Sequence, residues 1–334
     1  MGPSLAIAPS RRARLALGGV VGLALLVLTI ARVDLGVVVD HIAGASLPVL
    51  AAAVGVVLVD LGIRGSRWRT LLRGLGGDAR VGLRESVAYL TIGYLANLLL
   101  PARLGDLARA YLAGTAFRRP RLAILGTIVV ERVGDGLTML GLAVLASLLV
   151  AGIATAQALA GYGALLVAAG VALALLGWWA VSRFARAGSS VGRRIREVGA
   201  RLAAGTTALR TPTGAATVAL ATLAGAGTAV LVAWMVAGAV GVRLAPVEAI
   251  LFMSAIALSL AIPAAPGSLG TYEFVGVTVL TGLGHGADQA LATIVLMRAV
   301  STFPPIAIGI AATWLLHLRP GVILEAAAAE ETTG

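Results

Sequence analysis

The chain has 334 residues, of which 59% are hydrophobic and only 12% charged, with a mean hydropathy of +0.98. An average soluble domain carries about 25% charged residues, so this composition cannot cover a soluble surface, and a polytopic helical membrane protein is expected. The absence of cysteine excludes disulfides and thiolate chemistry, and His41, His285 and His317 show no zinc-ligand spacing. The formal charge is +11, and every one of the 26 cations is arginine. With abundant Ala, Gly, Val and Leu, that preference reads as genome-wide codon bias. A pI near 11.4 would suggest nucleic acid in a polar chain. In one this apolar it points to cytoplasmic loops facing anionic headgroups.

In chain order, Arg11, Arg12 and Arg14 precede the first apolar run, Leu15 to Ala31. That run is long for a signal peptide and lacks a clear small-x-small cleavage site, so it is read as an uncleaved first helix. Residues 1–14 are then a cytoplasmic N-terminus. Further apolar runs cover Leu47–Ile63, Ser86–Leu100, Leu122–Gly152, Gly161–Ser182, Thr213–Gly241, Pro246–Gly284 and Ala287–Leu318. Several exceed the ~20 residues of one span. The expected fold is all-α, with about six to eight transmembrane helices forming one domain over residues 15–318. Residues 319–334, with Glu325, Glu330 and Glu331, read as a disordered cytoplasmic tail.

Arginine placement orders these runs. Twenty-one of the 26 arginines fall in 11–14, 64–84, 103–121 and 183–210, whereas 32–46, 153–160 and 242–246 hold only Arg32 and Arg243. The positive-inside rule puts the first group in the cytoplasm and the second outside. Segments 64–84 and 103–121 are then on one side, although Ser86–Leu100 lies between them. A re-entrant hairpin turning at Leu100-Pro101 resolves the conflict; the alternative is a short amphipathic surface helix. From the other side, Pro246–Gly284 breaks at Pro263-Ala-Ala-Pro266-Gly267. It leaves one long helix kinked at Pro304-Pro305. The two breaks read alike, Leu98 to Pro101 then Gly105, and Leu260 to Pro263 then Gly267 and Gly270. Two broken segments of opposite orientation point to an inverted repeat with a site at the repeat interface. Residues 183–210 read as a helix lying on anionic lipid.

Three constellations could carry chemistry. In Asn97-Leu-Leu-Leu-Pro101-Ala-Arg103-Leu-Gly105-Asp106-Leu-Ala-Arg109, Asn97 puts an amide into an apolar run and Pro101 bends the chain. Gly105 allows a close approach, Asp106 could cap the following helix, and Arg103 and Arg109 bring guanidinium forks suited to phosphate. The alternative for each arginine is snorkelling to the interface. In Glu131-Arg132-Val-Gly-Asp135, Glu131 and Asp135 share one helix face, so one must hold a proton or both need cations, from Arg103, Arg109 or, should the helix break at Gly134, Arg132. A structural ion pair is the plainer reading. In Pro263…Glu273, Ser268 or Thr271 could cap a half-helix whose N-terminus suits an anion, and Glu273 could pair with Arg298. A hinge without ligand is the alternative. Arg64-Gly-Ser-Arg67-Trp68-Arg69 reads first as interfacial anchoring and second as headgroup contact, with Asp60 paired to Arg64.

At these positions the chain resembles the lysylphosphatidylglycerol synthase transmembrane region. This flippase-like family includes the membrane half of the bacterial multiple peptide resistance factor. The likeness rests on Arg67-Trp68, on Asn97…Leu100-Pro101…Gly105-Asp106…Arg109, on Glu131-Arg132…Asp135, and on Pro263…Pro266-Gly267…Gly270…Glu273. Their order and spacing match over about residues 15–318; Asp106 stands where the family often carries glutamate. The resemblance implies movement of an anionic phospholipid or lipid-linked phosphate compound across the cytoplasmic membrane. With no soluble tract longer than about 30 residues, the aminoacyl-transferase activity in the family name is not expected here.

The leading expectation is thus a transporter without cofactor or metal, not an enzyme. Its substrate contacts would be Arg67, Asn97, Arg103, Asp106, Arg109, Glu131, Arg132, Asp135, Glu273 and Arg298. Its hinges would be Pro101, Gly105, Pro263, Pro266, Gly267 and Gly270. No nucleotide-binding motif is present, so direct ATP drive is not expected. The alternatives are a membrane enzyme acting on polyprenyl-phosphate lipids, or a non-catalytic partner of a separately encoded glycosyl- or aminoacyl-transferase.

Overall fold

The computed structural model describes residues 11–77, 81–99, 104–149, 190–260 and 268–318. Arg103, Pro101, Pro263, Pro266, Gly267, the run 161–182 and the tail 319–334 lie outside the described residues. Among the described residues the helices are α1 (Arg11–Ile30), α2 (Leu35–Ala43), α3 (Leu47–Gly74), α4 (Leu83–Leu99), α5 (Gly105–Ala116) and α6 (Arg121–Leu149). They continue with α7 (Ser190–Ala203), a 3-10 turn (Ala204–Arg210), α8 (Pro212–Ala239), α9 (Pro246–Ser259), α10 (Thr271–Gly282) and α11 (Ala287–Leu315).

Helix starts follow local chemistry. Pro48 sits in the first turn of α3, and Thr211 Oγ1 accepts from the Gly214 amide at 3.2 Å just ahead of Pro212 in α8. The segment 32–46, expected only as an outward loop, contains α2. Asp34 accepts from the Gly36 and Val37 amides and starts a new helix, bent 82° from α1. By length and apolarity α3, α8 and α11 can each cross a membrane, and the bent pair α1–α2 makes a fourth when counted as one broken span. The described residues thus contain three or four such spans rather than the full six to eight. Helix α11 runs unbroken through Pro304 and Pro305.

Two apolar cores fill the bundle. One gathers Val57 of α3, Val236 of α8, Phe252 and Ile256 of α9, Leu280 of α10 and Ile294 of α11. The other gathers Trp68 and Leu72 of α3, Ile92 of α4, Ala108 and Leu112 of α5 and Ile128 of α6. Helix ends sort by charge. At one end the Ser46 amide donates to the Ala239 carbonyl, the Asp34 amide donates to the Asp288 carboxylate, and Gln289 donates to the Val240 carbonyl. These are the arginine-poor connections. At the other end Gly74 meets Ala208, Gly126 meets Leu202 of α7, and Gly114 meets Arg121. These belong to the arginine-rich segments.

Helices α4 and α5 pack antiparallel, because Gly93 lies against Arg109 while Gly105 lies against Asn97. A Cβ at Gly105 would collide with the Gly93 carbonyl oxygen and the Asn97 amide, so glycine permits this approach. The outer ends of this hairpin lie at the arginine-rich end, where Arg69 binds the Val81 carbonyl and Gly114 abuts Arg121. At 17 and 12 residues, α4 and α5 are about 25 and 18 Å long, shorter than a ~30 Å hydrocarbon core. Helices α9 and α10 pack together in the same way, with Ile256 near Gly276. Their outer ends lie at the arginine-poor end: Trp234 of α8 binds the Leu244 carbonyl, and α10 finishes next to Gly284 and α11. Among the described residues α4–α5 and α9–α10 are thus two short helix pairs whose outer ends lie at opposite ends of the bundle.

Candidate functional site: a buried arginine–carboxylate network

Helices α3, α5, α6 and α8 converge on a charge network near the first hairpin. Glu131 on α6 is 5% exposed and lies between two buried arginines. Its Oε2 is 3.0 Å from Arg109 Nη2 on α5, and its Oε1 is 3.5 Å from Arg67 Nε on α3. Among the described residues, Glu131 Oε1, Arg67 Nε and Arg109 Nε make no hydrogen bond, so charge alone holds Glu131 to both. One turn along α6, Asp135 takes both Nη1 and Nη2 of Arg67, the latter at 3.1 Å. Arg67 Nη1 also donates to Thr222 Oγ1 of α8 at 3.0 Å. Arg64 reaches Asp135 at 3.5 Å and Asp60 at 2.6 Å, and Thr228 donates to Asp60 at 2.7 Å. The pairing of Asp60 with Arg64 is as the spacing predicts.

Trp68 departs from the anchoring role expected of it. It is fully buried, its indole N–H donates to Thr127 Oγ1 at 3.0 Å, and the Arg109 guanidinium stacks 3.6 Å from its ring centroid. An aromatic face attracts a cation through its ring quadrupole, and more strongly where water is excluded. Arg67 is likewise buried rather than interfacial.

The first hairpin supplies a second pair. Arg132 holds Asp106 through Nε at 3.2 Å and Nη2 at 2.8 and 3.1 Å. Asp106 does not cap α5, which starts from Leu104; it sits inside the first turn with its carboxylate turned to Arg132. Asn97 closes the tip, donating to Asp106 at 3.3 Å and accepting the Gly105 amide at 2.9 Å. Helix α6 does not break at Gly134, so Arg132 points away from Glu131 and Asp135 and goes to Asp106 instead. Among the described residues, Arg64, Arg67, Arg109 and Arg132 stand against Asp60, Asp106, Glu131 and Asp135, and the network is electroneutral.

The second hairpin repeats this arrangement. Glu273 pairs with Arg298 of α11 at 2.8 Å, the expected partner. Ser268 and Thr271 do not cap α10. Gly270 is its cap, with φ of +87° that glycine tolerates, and Glu273 reaches back to the Gly270 amide at 2.7 Å. A Cβ at Gly270 would also strike the Gly22 carbonyl of α1. Arg298 covers the Tyr272 ring at 4.4 Å. Each hairpin therefore offers a carboxylate in the first turn of its second helix, Asp106 or Glu273. Each pairs with an arginine on the next long helix, 26 residues on for Asp106–Arg132 and 25 for Glu273–Arg298.

Thr127, Thr222 and Thr228 are members that the sequence pattern does not reveal. The threonines lie in apolar runs and are placed by helix packing alone.

A bundle of apolar helices enclosing a compensated ionic network defines a polytopic helical membrane protein. The chain belongs to the family described as the lysylphosphatidylglycerol synthase TM region, which it matches over residues 15–309. The match falls on the transmembrane part rather than on a synthase catalytic domain. The chain is also 35% identical over 128 residues, 37% of its length, to the glycosyltransferase AglD of Haloferax volcanii. It covers 20% of that protein's length.

Proposed function

We propose that the chain is a flippase-like transporter that moves a phospholipid or a lipid-linked phosphate compound across the cytoplasmic membrane. The observation that carries this reading is the burial of Arg67, Arg109 and Glu131 inside a bundle of apolar helices. Ionisable groups at such a place are costly and mark a pathway for polar cargo. The oppositely inserted hairpins support two inverted halves, with re-entrant tips that approach a site from opposite sides. With the arginine-rich ends facing the cytoplasm, as the positive-inside rule favours, both termini would be inside. Arg67, Arg109 and Arg132, with Arg103 and Arg298, would meet a headgroup phosphate. Asn97, Asp106, Glu131, Asp135 and Glu273 would hold those cations while no lipid is bound. Gly105 and Gly270, with Pro101, Pro263, Pro266 and Gly267, would be the flexing points.

The electroneutral network implies exchange. An added phosphate anion displaces a carboxylate from an arginine rather than filling an empty cationic pocket. The test is translocation of a fluorescent phosphatidylglycerol in proteoliposomes, read by dithionite quenching. Expected is wild-type flipping above protein-free vesicles, reduced at least tenfold by Glu131→Gln. Wild-type rates equal to those of empty vesicles would refute the reading. The likeness to one fifth of a glycosyltransferase favours a second reading, membrane partner to a separately encoded glycosyltransferase. Co-purification of such an enzyme without any lipid flipping would support that reading instead. A membrane enzyme using Glu131 and Asp135 as metal ligands is disfavoured, because arginines already occupy both carboxylates.

A further inference from the structure

Arg132 differs from the other cations of the network. Its side chain is 42% exposed, against 3% for Arg67 and 2% for Arg109. The large exposed apolar residues of α6 are Val129, Val133, Leu137, Val144, Leu145, Leu148 and Leu149. Val129, Val133, Leu137, Val144 and Leu148, spaced by four and seven, form one stripe, and Arg132, three residues after Val129, stands at its edge. In a membrane protein such a stripe faces lipid chains. A lipid-facing cation is costly unless it has a purpose or an escape to the interface.

Arg132 does not take that escape. The arginine-rich end is marked by α7, whose Leu202 backbone meets Gly126, six residues and about 9 Å along α6 from Arg132. A snorkelling guanidinium would turn toward that end. Arg132 instead grips Asp106 in the first turn of α5, about as far along the bundle as Arg132 itself. Asp106 presents two oxygens to one guanidinium, the geometry that the two free oxygens of a phosphodiester also offer. Asp106 also has other support, since Asn97 Nδ2 lies 3.3 Å away and the carboxylate sits in the first turn of α5. It can release Arg132 without losing all compensation.

We propose that Arg132 is the lateral phosphate contact of this protein. It takes the phosphodiester of a glycerophospholipid directly from the bilayer, between α5 and α6, as the lipid phosphate replaces Asp106 on its guanidinium. This inference rests on the transporter reading and names where its cargo first engages.

The experiment uses the full chain in phosphatidylcholine nanodiscs with a benzoylphenylalanine crosslinker replacing Val133. The probes are tritiated phosphatidylglycerol and tritiated diacylglycerol of the same chains. Expected is a crosslink to phosphatidylglycerol at least fivefold above that to diacylglycerol. Arg132→Gln should abolish the preference, and Arg132→Lys should keep part of it. Asp106→Asn, which removes the competing carboxylate, should raise the phosphatidylglycerol yield. A purely structural ion pair would make Arg132→Gln and Asp106→Asn behave alike, and that result overturns the proposal. Equal crosslinking of the two lipids overturns it too. Inorganic phosphate added to the buffer should leave the yield unchanged; competition by it would show an aqueous site and refute lateral access. Flipping is assayed separately in proteoliposomes. Its absence, with an Arg132-dependent crosslink, would refute transport while leaving the lipid contact standing.

Discussion

Replacing Glu131 with glutamine tests the centre of the network most directly. Glu131 is the one carboxylate in ion-pair contact with Arg109, at 3.0 Å, among the described residues, and it also faces Arg67 at 3.5 Å. With an effective dielectric of about 20, those separations correspond to gross attractions of roughly 5.5 and 4.7 kcal/mol, before the cost of desolvation. Glu131→Gln leaves Arg109 buried against an uncharged amide and the Trp68 face, the latter worth about 2 kcal/mol. The net loss should be about 3–5 kcal/mol, the usual cost of breaking a buried pair from one side. Arg109→Met should cost less, because Glu131 then keeps Arg67. The double variant should cost less than the sum of the two singles by about 2 kcal/mol. Equilibrium unfolding in mixed micelles, titrated with sodium dodecyl sulfate, measures all three. Single effects that add within about 0.5 kcal/mol would refute the coupling. So would an Arg109→Met cost larger than that of Glu131→Gln.

The hairpins and the aromatic support give three further expectations. Gly105→Ala should destabilise by about 1–3 kcal/mol, because the new methyl meets backbone on α4; an unchanged thermal midpoint in detergent would contradict the close approach. Trp68→Phe should cost about 1 kcal/mol by removing the hydrogen bond to Thr127 while keeping a ring under Arg109. An interfacial anchor would lose nothing in the same unfolding assay. Glu273→Gln keeps an oxygen for the Gly270 amide but gives up the charge facing Arg298, and should cost about 1–3 kcal/mol. Glu273→Ala should cost about 1 kcal/mol more, since the helix cap goes as well; equal midpoints for the two variants would show that the cap contributes nothing.

Membrane class, helical content and the sidedness of charge were legible from residue order alone. Apolar runs of ~20 residues leave a chain few options in lipid, and arginines avoid the bilayer. The pairs Asp60–Arg64 and Glu273–Arg298 were also within reach, the first through helical spacing, the second through the lack of other cations near the break. Helix α2 was legible in principle, because Asp34 followed by Leu-Gly-Val is a helix start. Charge counting overrode that signal.

Pairing across helices was not legible. Whether Trp68 faces a headgroup or a buried guanidinium depends on how α3 is rotated against α5 and α6, and a near-continuous apolar run says little about rotation. Asp106 illustrates the same limit. Locally it is a good capping residue, yet the half-exposed Arg132 at the edge of an apolar face draws its carboxylate more strongly than backbone amides do. Sequence by itself thus determined that this protein lies in a membrane, how its charge is distributed and which residues are costly there. Only the tertiary structure decided which charge neutralises which, because in a medium of low dielectric each buried ion must find its partner across the helix interface rather than in water.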